Sequence, residues 1–184
     1  EELWNESEIY HFIGKDIMNF HTLFWPALLD ASDFKKPSNV FVHGFMTLNG
    51  KKMSKSKGNF LLIDDYLNLL NPDYMRYFLA TKLSNGIDDL DLDLLDFQKK
   101  VNTDLVGKFV NIASRSQGFL KEFNNILSND LDEDLIDEFS NKKNEIFNHY
   151  LDRNYSKALK EIMTLADKAN QYIDSNKPWI LNKE

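Results

Sequence analysis

A short basic segment between two glycines holds the residues best suited to chemistry. It reads NGKKMSKSKGN from Asn49 to Asn59, and it has four lysines and no carboxylate within seven residues of a chain whose net charge is −7. Lysine ammonium groups can stabilise the negative charge of a phosphate, and glycines such as Gly50 and Gly58 let a loop move. The other interpretation is a solvated basic loop, which is what most short lysine runs are. The segment by itself leaves both interpretations open.

Composition limits the class of protein. With 184 residues, of which 42% are hydrophobic and 13% aromatic, the chain can bury enough core for one large or two small domains. It has no cysteine, which excludes a disulfide framework and a cysteine zinc site within these residues. No apolar run is long enough to span a bilayer, and the start EELWNESEIY lacks the features of a signal peptide. We therefore expect a soluble, cytoplasmic protein that does not enter a membrane.

The negative charge is unevenly distributed. Residues 1–60 contain seven lysines and seven acidic residues, so the net charge belongs to the remainder, which has 15 basic and 22 acidic residues. A protein that holds nucleic acid along a broad electrostatic surface is normally basic. Any contact with nucleic acid must therefore be local.

Two predicted elements precede the basic segment. DIMNFHTLFWPALLDAS, residues 16–32, predicts a helix, and His21 falls on its apolar face, where a satisfied core histidine is more common than a binding residue. NVFVHGFMTL, residues 39–48, predicts a strand that ends at the tight-turn pair Asn49-Gly50. The apolar face of the helix consists of Ile17, Phe20, Phe24, Trp25 and Leu28.

Past the basic segment the pattern becomes helical. IDDYLNLL and NPDYMRYFLATKLS predict two short helices, the second with Asn71 as its N-cap and Pro72 in its first turn. The acidic stretch GIDDLDLDLLDF predicts a surface connector. Three amphipathic helices follow and indicate a bundle. Their apolar stripes are Val101, Leu105, Phe109, Ile112, Phe119 and Phe123; Leu135, Phe139, Ile146 and Tyr150; and Tyr155, Leu159, Ile162, Ala166, Ala169 and Ile173.

The basic segment contains Lys52-Met53-Ser54-Lys55-Ser56, which is letter for letter the signature loop of class I aminoacyl-tRNA synthetases. Longer blocks, in the same order, resemble the methionyl-tRNA synthetases of the bacterial type. These blocks are FIGKDIMNFHTLFWPALL, PSNVFVHGFMTLNGKKMSKSKGNF, KLSNGIDDLDLDLLDF and VNIASR. The resemblance covers the chain from about Tyr10 to Trp179 and is weaker between Phe123 and Tyr155.

The resemblance implies an α/β fold followed by an all-α fold. Residues 1–60 would be the C-terminal part of a Rossmann-type catalytic domain with the KMSKS loop. Residues 61–96 would be a segment that contacts the tRNA stem, and residues 97–184 a helical-bundle anticodon-binding domain. The His-x-Gly-His signature of the class is absent, because HFIGKD at His11 has no second histidine. The chain therefore resembles the C-terminal portion of a longer enzyme, and the zinc of the family is expected only upstream of it.

The resemblance assigns activation chemistry to the first 60 residues. Lys52 and Lys55 match the lysines that stabilise the departing pyrophosphate, with Lys55 as its main partner. Asp16 would accept hydrogen bonds from the ribose, although its position before Ile17 equally suits a helix N-cap. The cofactor is ATP with Mg²⁺. The ATP-binding residues that the family implies are Gly14, Asp16, Lys52, Met53, Ser54, Lys55 and Ser56.

The same resemblance gives the helix after GKD a role in binding methionine. Ile17, His21 and Trp25 match residues that line the methionine pocket of the family. A spacing of four residues puts all three on one face of a helix, as a pocket wall requires. An apolar pocket with one polar group suits a thioether side chain.

Anticodon recognition is implied for the bundle. Asn111 and Arg115 are four residues apart on the longest helix, away from the Phe109 stripe, so both are expected to project outward to the same base. Trp179, in NKPWIL, is expected to stack on a base. The alternative for Trp179 is a hydrophobic plug that packs the last segment onto the bundle.

The expected function is that of a methionine-tRNA ligase. In the intact enzyme it would activate methionine with ATP to methionyl-adenylate and transfer methionine to tRNA(Met), whereas this chain alone is expected to be inactive. The expected partners are tRNA(Met), L-methionine and ATP, with no membrane. The second interpretation is a non-catalytic tRNA-binding module in which only the helical bundle is competent. A purely helical scaffold is a weaker third interpretation, since the lysine loop argues against it.

Overall fold

The computed structural model describes residues 2–126 and 129–181, and the chain forms two compact units. The first unit contains the residues up to Phe60 together with Asn85–Leu92, and the second contains Leu61–Ser84 together with the chain from Asp93 onward. Within the described residues the first unit is α/β and the second is all-α, which confirms the predicted fold class. The predicted segment 61–96 is divided between the units, because part of it forms a strand of the first.

The first unit combines short strands with helical turns. The strands are β1 Tyr10–Gly14, β2 Asn39–His43, β3 Met46–Leu48, β4 Lys51–Lys52 and β5 Leu90–Leu92. The helical elements are α1 Glu2–Glu6, a 3-10 turn Lys15–Ile17, a π-helical turn Phe20–Phe24, α2 Trp25–Ala31 and a 3-10 turn Lys55–Lys57. The helix predicted over residues 16–32 is therefore confirmed, although its parts differ in winding.

β1 and β2 pair in parallel, with Tyr10 opposite Asn39 and Gly14 opposite His43. Parallel neighbours need a crossover connection, and the helical stretch that ends in α2 supplies it. Ile13 of β1 and Leu29 of α2 are buried. Strand and crossover helix thus both contribute to the apolar core of this unit.

The single strand predicted over residues 39–48 is wrong, because the chain leaves one sheet and enters another at Gly44. β2 ends at His43, and β3 begins at Met46 in a second sheet of order β4-β3-β5. A Cβ atom at Gly44 would lie 2.1 Å from the carbonyl oxygen of Asp88. Glycine is therefore required where these two backbone segments approach each other.

The acidic stretch predicted as a surface connector contains a strand, so that prediction is wrong as well. β5 pairs in parallel with β3, with Met46 opposite Leu90 and Leu48 opposite Leu92. Leu92 is fully buried. Because successive side chains of a strand point to opposite faces, the alternation of leucine and aspartate separates an apolar face from an acidic one.

The regular elements in the described part of the second unit are helices. They are α3 Ile63–Leu69, α4 Pro72–Lys82, α5 Leu94–Lys100, a π-helical segment Val101–Val110, α6 Asn111–Glu122, α7 Glu133–Leu151, α8 Tyr155–Asn176 and α9 Pro178–Leu181. Asn71 accepts a hydrogen bond from the backbone N–H of Asp73, which confirms the predicted N-cap of α4. None of the helices described for this chain is both long and apolar enough to cross a membrane.

The core of the second unit is built around Phe78 of α4, which is 0% exposed. Its ring packs edge-to-face on Phe97 of α5 with ring centroids 5.5 Å apart, and Phe97 packs on Tyr66 of α3 at 6.3 Å. The edge-to-face arrangement suits the quadrupoles of aromatic rings. One aromatic cluster therefore joins three helices.

The first predicted apolar stripe is partly confirmed along the long helix, the continuous helical stretch of residues 94–122. Val101 is buried and Leu105, Ile112 and Phe119 are half-buried, whereas Phe109 and Phe123 are exposed, so the prediction is wrong for these two phenylalanines. Lys108 and Asn111 contact α8 instead. The buried and half-buried positions 101, 104, 108, 112, 115 and 119 recur every three or four residues, and Phe109 lies just beside this side of the helix.

Replacement of Phe78 by alanine should lower the free energy of unfolding by about 3–5 kcal/mol, because it empties a fully buried ring site next to Phe97. Phe147 on α7 is 58% exposed and offers a matched control, for which Phe147→Ala should change the free energy by no more than about 0.5 kcal/mol. Urea unfolding followed by circular dichroism measures both. Equal losses for the two variants would contradict the aromatic cluster as the core of this unit.

Candidate functional site

The basic segment forms a hairpin with the predicted Asn49-Gly50 turn. Both residues have positive φ angles, 50° and 73°, which is the combination of a two-residue type I′ turn. β3 and β4 pair antiparallel across the turn, with Thr47 opposite Lys52 and Leu48 opposite Lys51. The hairpin therefore leads directly from a paired strand into the lysines, and the turn prediction is confirmed.

Asp91 of β5 holds the turn of this hairpin. Its Oδ1 accepts hydrogen bonds from Thr47 Oγ1 at 2.6 Å and from the backbone N–H of Gly50 at 2.7 Å. Hydrogen bonds to a charged acceptor are among the strong ones. The sequence interpretation missed Asp91, and the signal that could have revealed it is the alternation of aspartate with leucine around it.

Asp89 fixes the chain just before β3 in a similar way. It accepts a hydrogen bond from the backbone N–H of Phe45 at 2.7 Å and pairs with Lys15 Nζ at 2.7 Å. The hydrogen bond from Lys15, followed by that from Phe45, holds the pKa of Asp89 below its usual value. Sequence reasoning missed this residue too. Asp89, just before β5, and Asp91, within it, thus both bind the base of the hairpin.

The loop beyond β4 closes on itself. The backbone N–H of Ser54 donates to the carbonyl oxygen of Asn59 at 2.8 Å, and Asn59 Nδ2 donates to the carbonyl oxygen of Lys52 at 3.2 Å. The 3-10 turn Lys55–Lys57 ends at Gly58, whose φ of 67° lies in the left-handed region. The loop therefore has a defined path that needs glycine at its end.

All four lysines of the loop are exposed, and none of them is in an ion pair with another described residue. Lys52 Nζ lies 5.8 Å from the centroid of the Phe45 ring. The hydroxyl oxygens of Ser54 and Ser56 are 3.1 Å apart. Ammonium groups without a carboxylate partner, next to hydroxyl donors, can bind phosphate oxygens. The arrangement is compatible with binding of a phosphate as well as with plain solvation, and the binding interpretation stays a prediction.

Gly14 and Asp16 lie at the carboxyl end of β1, the edge of a parallel sheet at which ligands bind. Asp16 is inside the 3-10 turn Lys15–Ile17, and the residue at the N-cap position is Gly14. The N-cap interpretation of Asp16 is therefore wrong. A Cβ atom at Gly14 would lie 2.7 Å from Asp16 Oδ1, so the exposed carboxylate group folds back over this glycine.

The three predicted methionine-binding residues lie along one helical stretch, each in a differently wound part of it. Ile17 ends the 3-10 turn, His21 lies in the π-helical turn, and Trp25 begins α2. Trp25 lines a cavity of about 300 Å³ whose wall is otherwise formed by Trp4, Leu28, Leu29, Ser32 and Phe34. Ile17 and Trp25 are exposed, and His21 is half-buried.

His21 has a polar partner in His11 of β1. Their Nδ1 atoms are 3.0 Å apart, and the two rings meet edge-to-face with centroids 4.9 Å apart. Burial, and then the neighbouring His21 ring, lower the pKa of His11. Nδ1 of His21 is thus engaged within the protein, as expected for a satisfied histidine, and the binding role remains a prediction.

The predicted anticodon-binding residues come together in the second unit. Asn111 Nδ2 donates to Asn170 Oδ1 at 3.2 Å, and Arg115 forms an ion pair with Asp174. The Arg115 guanidinium carbon lies 5.3 Å from the centroid of the Trp179 ring, which is 40% exposed. The hydrogen bond from Arg115 lowers the pKa of Asp174 and raises that of Arg115. The prediction that Asn111 and Arg115 project outward is wrong, because both contact α8.

This cluster combines an amide, a guanidinium group and a partly exposed aromatic ring. RNA-binding sites use these groups on unpaired bases, since an aromatic ring or a guanidinium plane stacks on a base and polar groups bond its edges. Trp179 is 40% exposed, so part of its surface is open to a ligand. The stacking and the plug interpretations both stay predictions.

Comparisons with known proteins point to one family. A sequence profile of the family described as tRNA synthetases class I (M) matches residues 1–117. The methionine–tRNA ligase of Vesicomyosocius okutanii is 54% identical over 182 residues, which are 98% of this chain and 33% of that protein. The crystal structure of Mycobacterium tuberculosis methionyl-tRNA synthetase bound by methionyl-adenylate matches with a TM-score of 0.85 at 29% identity.

The match to the structure bound by methionyl-adenylate covers 96% of this chain and 35% of the M. tuberculosis chain. The apo form of the M. tuberculosis enzyme matches over the same shares with a TM-score of 0.80 at 26% identity. The chain therefore spans about a third of the length of the relatives that it matches.

Replacement of Asp91 by alanine should raise the hydrogen-exchange rate of the Gly50 amide by roughly tenfold or more, since a hydrogen bond to a charged group contributes about 1.5–3 kcal/mol. Exchange measured by NMR tests this. Asp88→Ala is the matched control, because the Asp88 side chain is exposed on the same stretch and is not described in contact with the hairpin. An unchanged rate in Asp91→Ala would show that Asp91 does not hold the turn.

Proposed function

The chain belongs to the family of class I tRNA synthetases (M), and on that premise we propose that it is part of a methionine–tRNA ligase. Its first unit would take part in the ATP-dependent activation of methionine, and its second in recognition of tRNA(Met). The observation that carries this proposal is the closed hairpin loop with four exposed lysines in no described ion pair. We further propose that residues 61–96 contact the tRNA stem and that residues 97–184 recognise the anticodon.

The lysines would act on the leaving group of the activation step. The methionine carboxylate attacks the α-phosphorus of ATP, the bond from that phosphorus to the bridging oxygen breaks, and pyrophosphate departs with the negative charge that develops. Lys55 and Lys52 would stabilise this charge through their ammonium groups, and Ser54 and Ser56 would donate hydrogen bonds. Gly50 and Gly58, which both have positive φ angles, would let the loop move to follow the pyrophosphate.

The remaining assignments concern the two small substrates. Gly14 and Asp16 would contact the ATP ribose, where the Asp16 carboxylate can accept hydroxyl hydrogen bonds, and Met53 would lie against the nucleotide. Ile17, His21 and Trp25 would contact the methionine side chain. Mg²⁺ would accompany the phosphates of ATP. We assign no residue to this ion, and the described residues contain no group of three or more side chains that could hold one.

A non-catalytic tRNA-binding module is the second candidate. One observation favours it: the cluster of Asn111, Arg115 and Trp179 lies within the second unit, which has its own aromatic core around Phe78. Such a unit can recognise an anticodon without the hairpin loop. The two candidates differ in whether the lysines of the loop affect a reaction.

Lys55→Ala should lower the rate constant of methionine-dependent pyrophosphate exchange by about 10²- to 10³-fold, the usual cost of removing one transition-state donor, with little change in methionine affinity. Lys57→Ala is the control, since this lysine is equally exposed but lies outside the KMSKS residues. The measurement requires a protein of the full length of the relatives. Equal effects of the two substitutions would remove Lys55 from its role.

Trp179→Ala should weaken the binding of a hairpin RNA with the methionine anticodon by about 1–3 kcal/mol, because a base loses its stacking partner. Trp179→Phe should retain most of the affinity, since phenylalanine also offers a flat ring. Binding is measured by fluorescence anisotropy and stability by thermal melting of the same samples. A loss of affinity that follows only from a lower melting temperature would support the plug interpretation.

A further inference from the structure

The second unit contains a polar groove that none of the assigned residues uses. Its volume is about 500 Å³, and it lies where α4, the long helix of residues 94–122 and α8 meet. Its wall includes six charged side chains, which are Lys100, Asp104, Lys108, Lys157, Lys160 and Asp167. Four of these side chains are ammonium groups and two are carboxylates, in a chain that is acidic overall.

The two carboxylates of the groove are already bound by other side chains. Asp104 is buried, accepts a hydrogen bond from the Tyr77 hydroxyl at 2.7 Å and pairs with Lys100 at 3.2 Å. Burial, followed by the hydrogen bond to Asp104, raises the pKa of Tyr77 above its usual value. Asp167 pairs with Lys108 at 2.7 Å. The negative charge on the wall is thus compensated within the wall.

Lys157 and Lys160 are the two ammonium groups that remain. Both are exposed on α8, and neither pairs with a carboxylate of residues 2–126 or 129–181. Their spacing of three residues brings them to one side of the helix, where Thr164 adds a hydroxyl group one turn further on. The groove therefore has a surplus of positive charge at its open side, together with hydroxyl donors.

The side of α8 that lines the groove continues along the helix toward the Arg115 cluster. Along α8, Lys157, Lys160, Thr164, Asp167 and Asp174 recur at spacings of three, four or seven residues, so they lie on one side of the helix. The long helix faces this side through three successive contacts, which are Lys108 with Asp167, Asn111 with Asn170, and Arg115 with Asp174. At about 1.5 Å per residue, the 14 residues from Lys160 to Asp174 correspond to about 21 Å along α8.

We propose that Lys157 and Lys160 bind phosphates of an RNA backbone, at the stem that continues from an anticodon loop held at Trp179. This inference rests on the proposed recognition of tRNA by the second unit. When a base of the anticodon loop binds at Trp179, the stem of that RNA extends away from the cluster. The unpaired ammonium groups of α8 lie on the same side of this helix, about 21 Å from Asp174. Phosphate contacts fix the orientation of an RNA without reading its sequence.

The test uses the complete 184-residue chain and two RNA hairpins, one with the methionine anticodon and one with a changed anticodon. Binding is measured by fluorescence anisotropy at several salt concentrations. Lys157→Ala and Lys160→Ala should each reduce the slope of log affinity against log salt by roughly 1, and the double variant by roughly 2, equally for both hairpins. The variant with Lys157→Arg and Lys160→Arg should retain the wild-type slope, because it keeps both charges.

Lys143→Ala is the matched control, since Lys143 is exposed on α7, outside the groove, and in no ion pair described for this chain. It should leave the slope unchanged. A wild-type slope in the double alanine variant, with Trp179→Ala still weakening binding, would contradict phosphate binding by Lys157 and Lys160. The proposed function would then remain intact. Failure of the wild-type chain to bind either hairpin would overturn both. A slope change as large in Lys143→Ala would also contradict a specific role of the groove lysines, because any surface lysine would then contribute equally to RNA binding.

Discussion

An ammonium group binds a phosphate more strongly when no carboxylate already neutralises its charge, and an acidic chain meets this constraint by keeping its carboxylates occupied elsewhere. The hairpin of the first unit does so. Asp91 lies on the strand next to it and Asp89 just before that strand, yet their oxygens accept hydrogen bonds from backbone N–H groups, a threonine hydroxyl and Lys15. The acids therefore fix the base of the hairpin and leave the lysines at its end to other partners.

The second unit applies the same constraint with different partners. Asp104 is taken out of water and bound by a tyrosine and a lysine, and a buried carboxylate without such partners would be costly. Asp167 is paired across the two helices with Lys108. As a consequence the exposed end of the groove is positive although the unit as a whole is negative. Local compensation, and not net charge, decides where this protein can bind an anion.

Sequence reasoning succeeded where the physical cause is local. The Asn49-Gly50 turn, the Asn71 cap and the helices of the bundle follow from neighbouring residues, and the structure contains all of them. It failed where the cause is distant. β5 pairs with β3, which lies more than 40 residues earlier in the chain. The sequence around Asp91 alone therefore predicts a solvated acidic connector and not a strand.

The packing of the long helix was unpredictable for a related reason. Its buried positions keep a spacing of three or four residues, but Asn111 and Arg115 occupy part of that side because their partners lie on α8. Phe109 lies beside that side and is exposed. The candidate residues could be named from the KMSKS loop and its neighbouring blocks, but their partners 59 positions away could not.

The contacts of Arg115 show why such partners matter for recognition. Its guanidinium group is held by Asp174 at the edge and by the Trp179 ring at the face. Asp174 is exposed, so water screens the ion pair and the pair is weak enough for another acceptor to compete. The ion pair and the contact with the Trp179 ring together orient the guanidinium group before any ligand binds. Orientation before binding reduces the side-chain entropy lost on association.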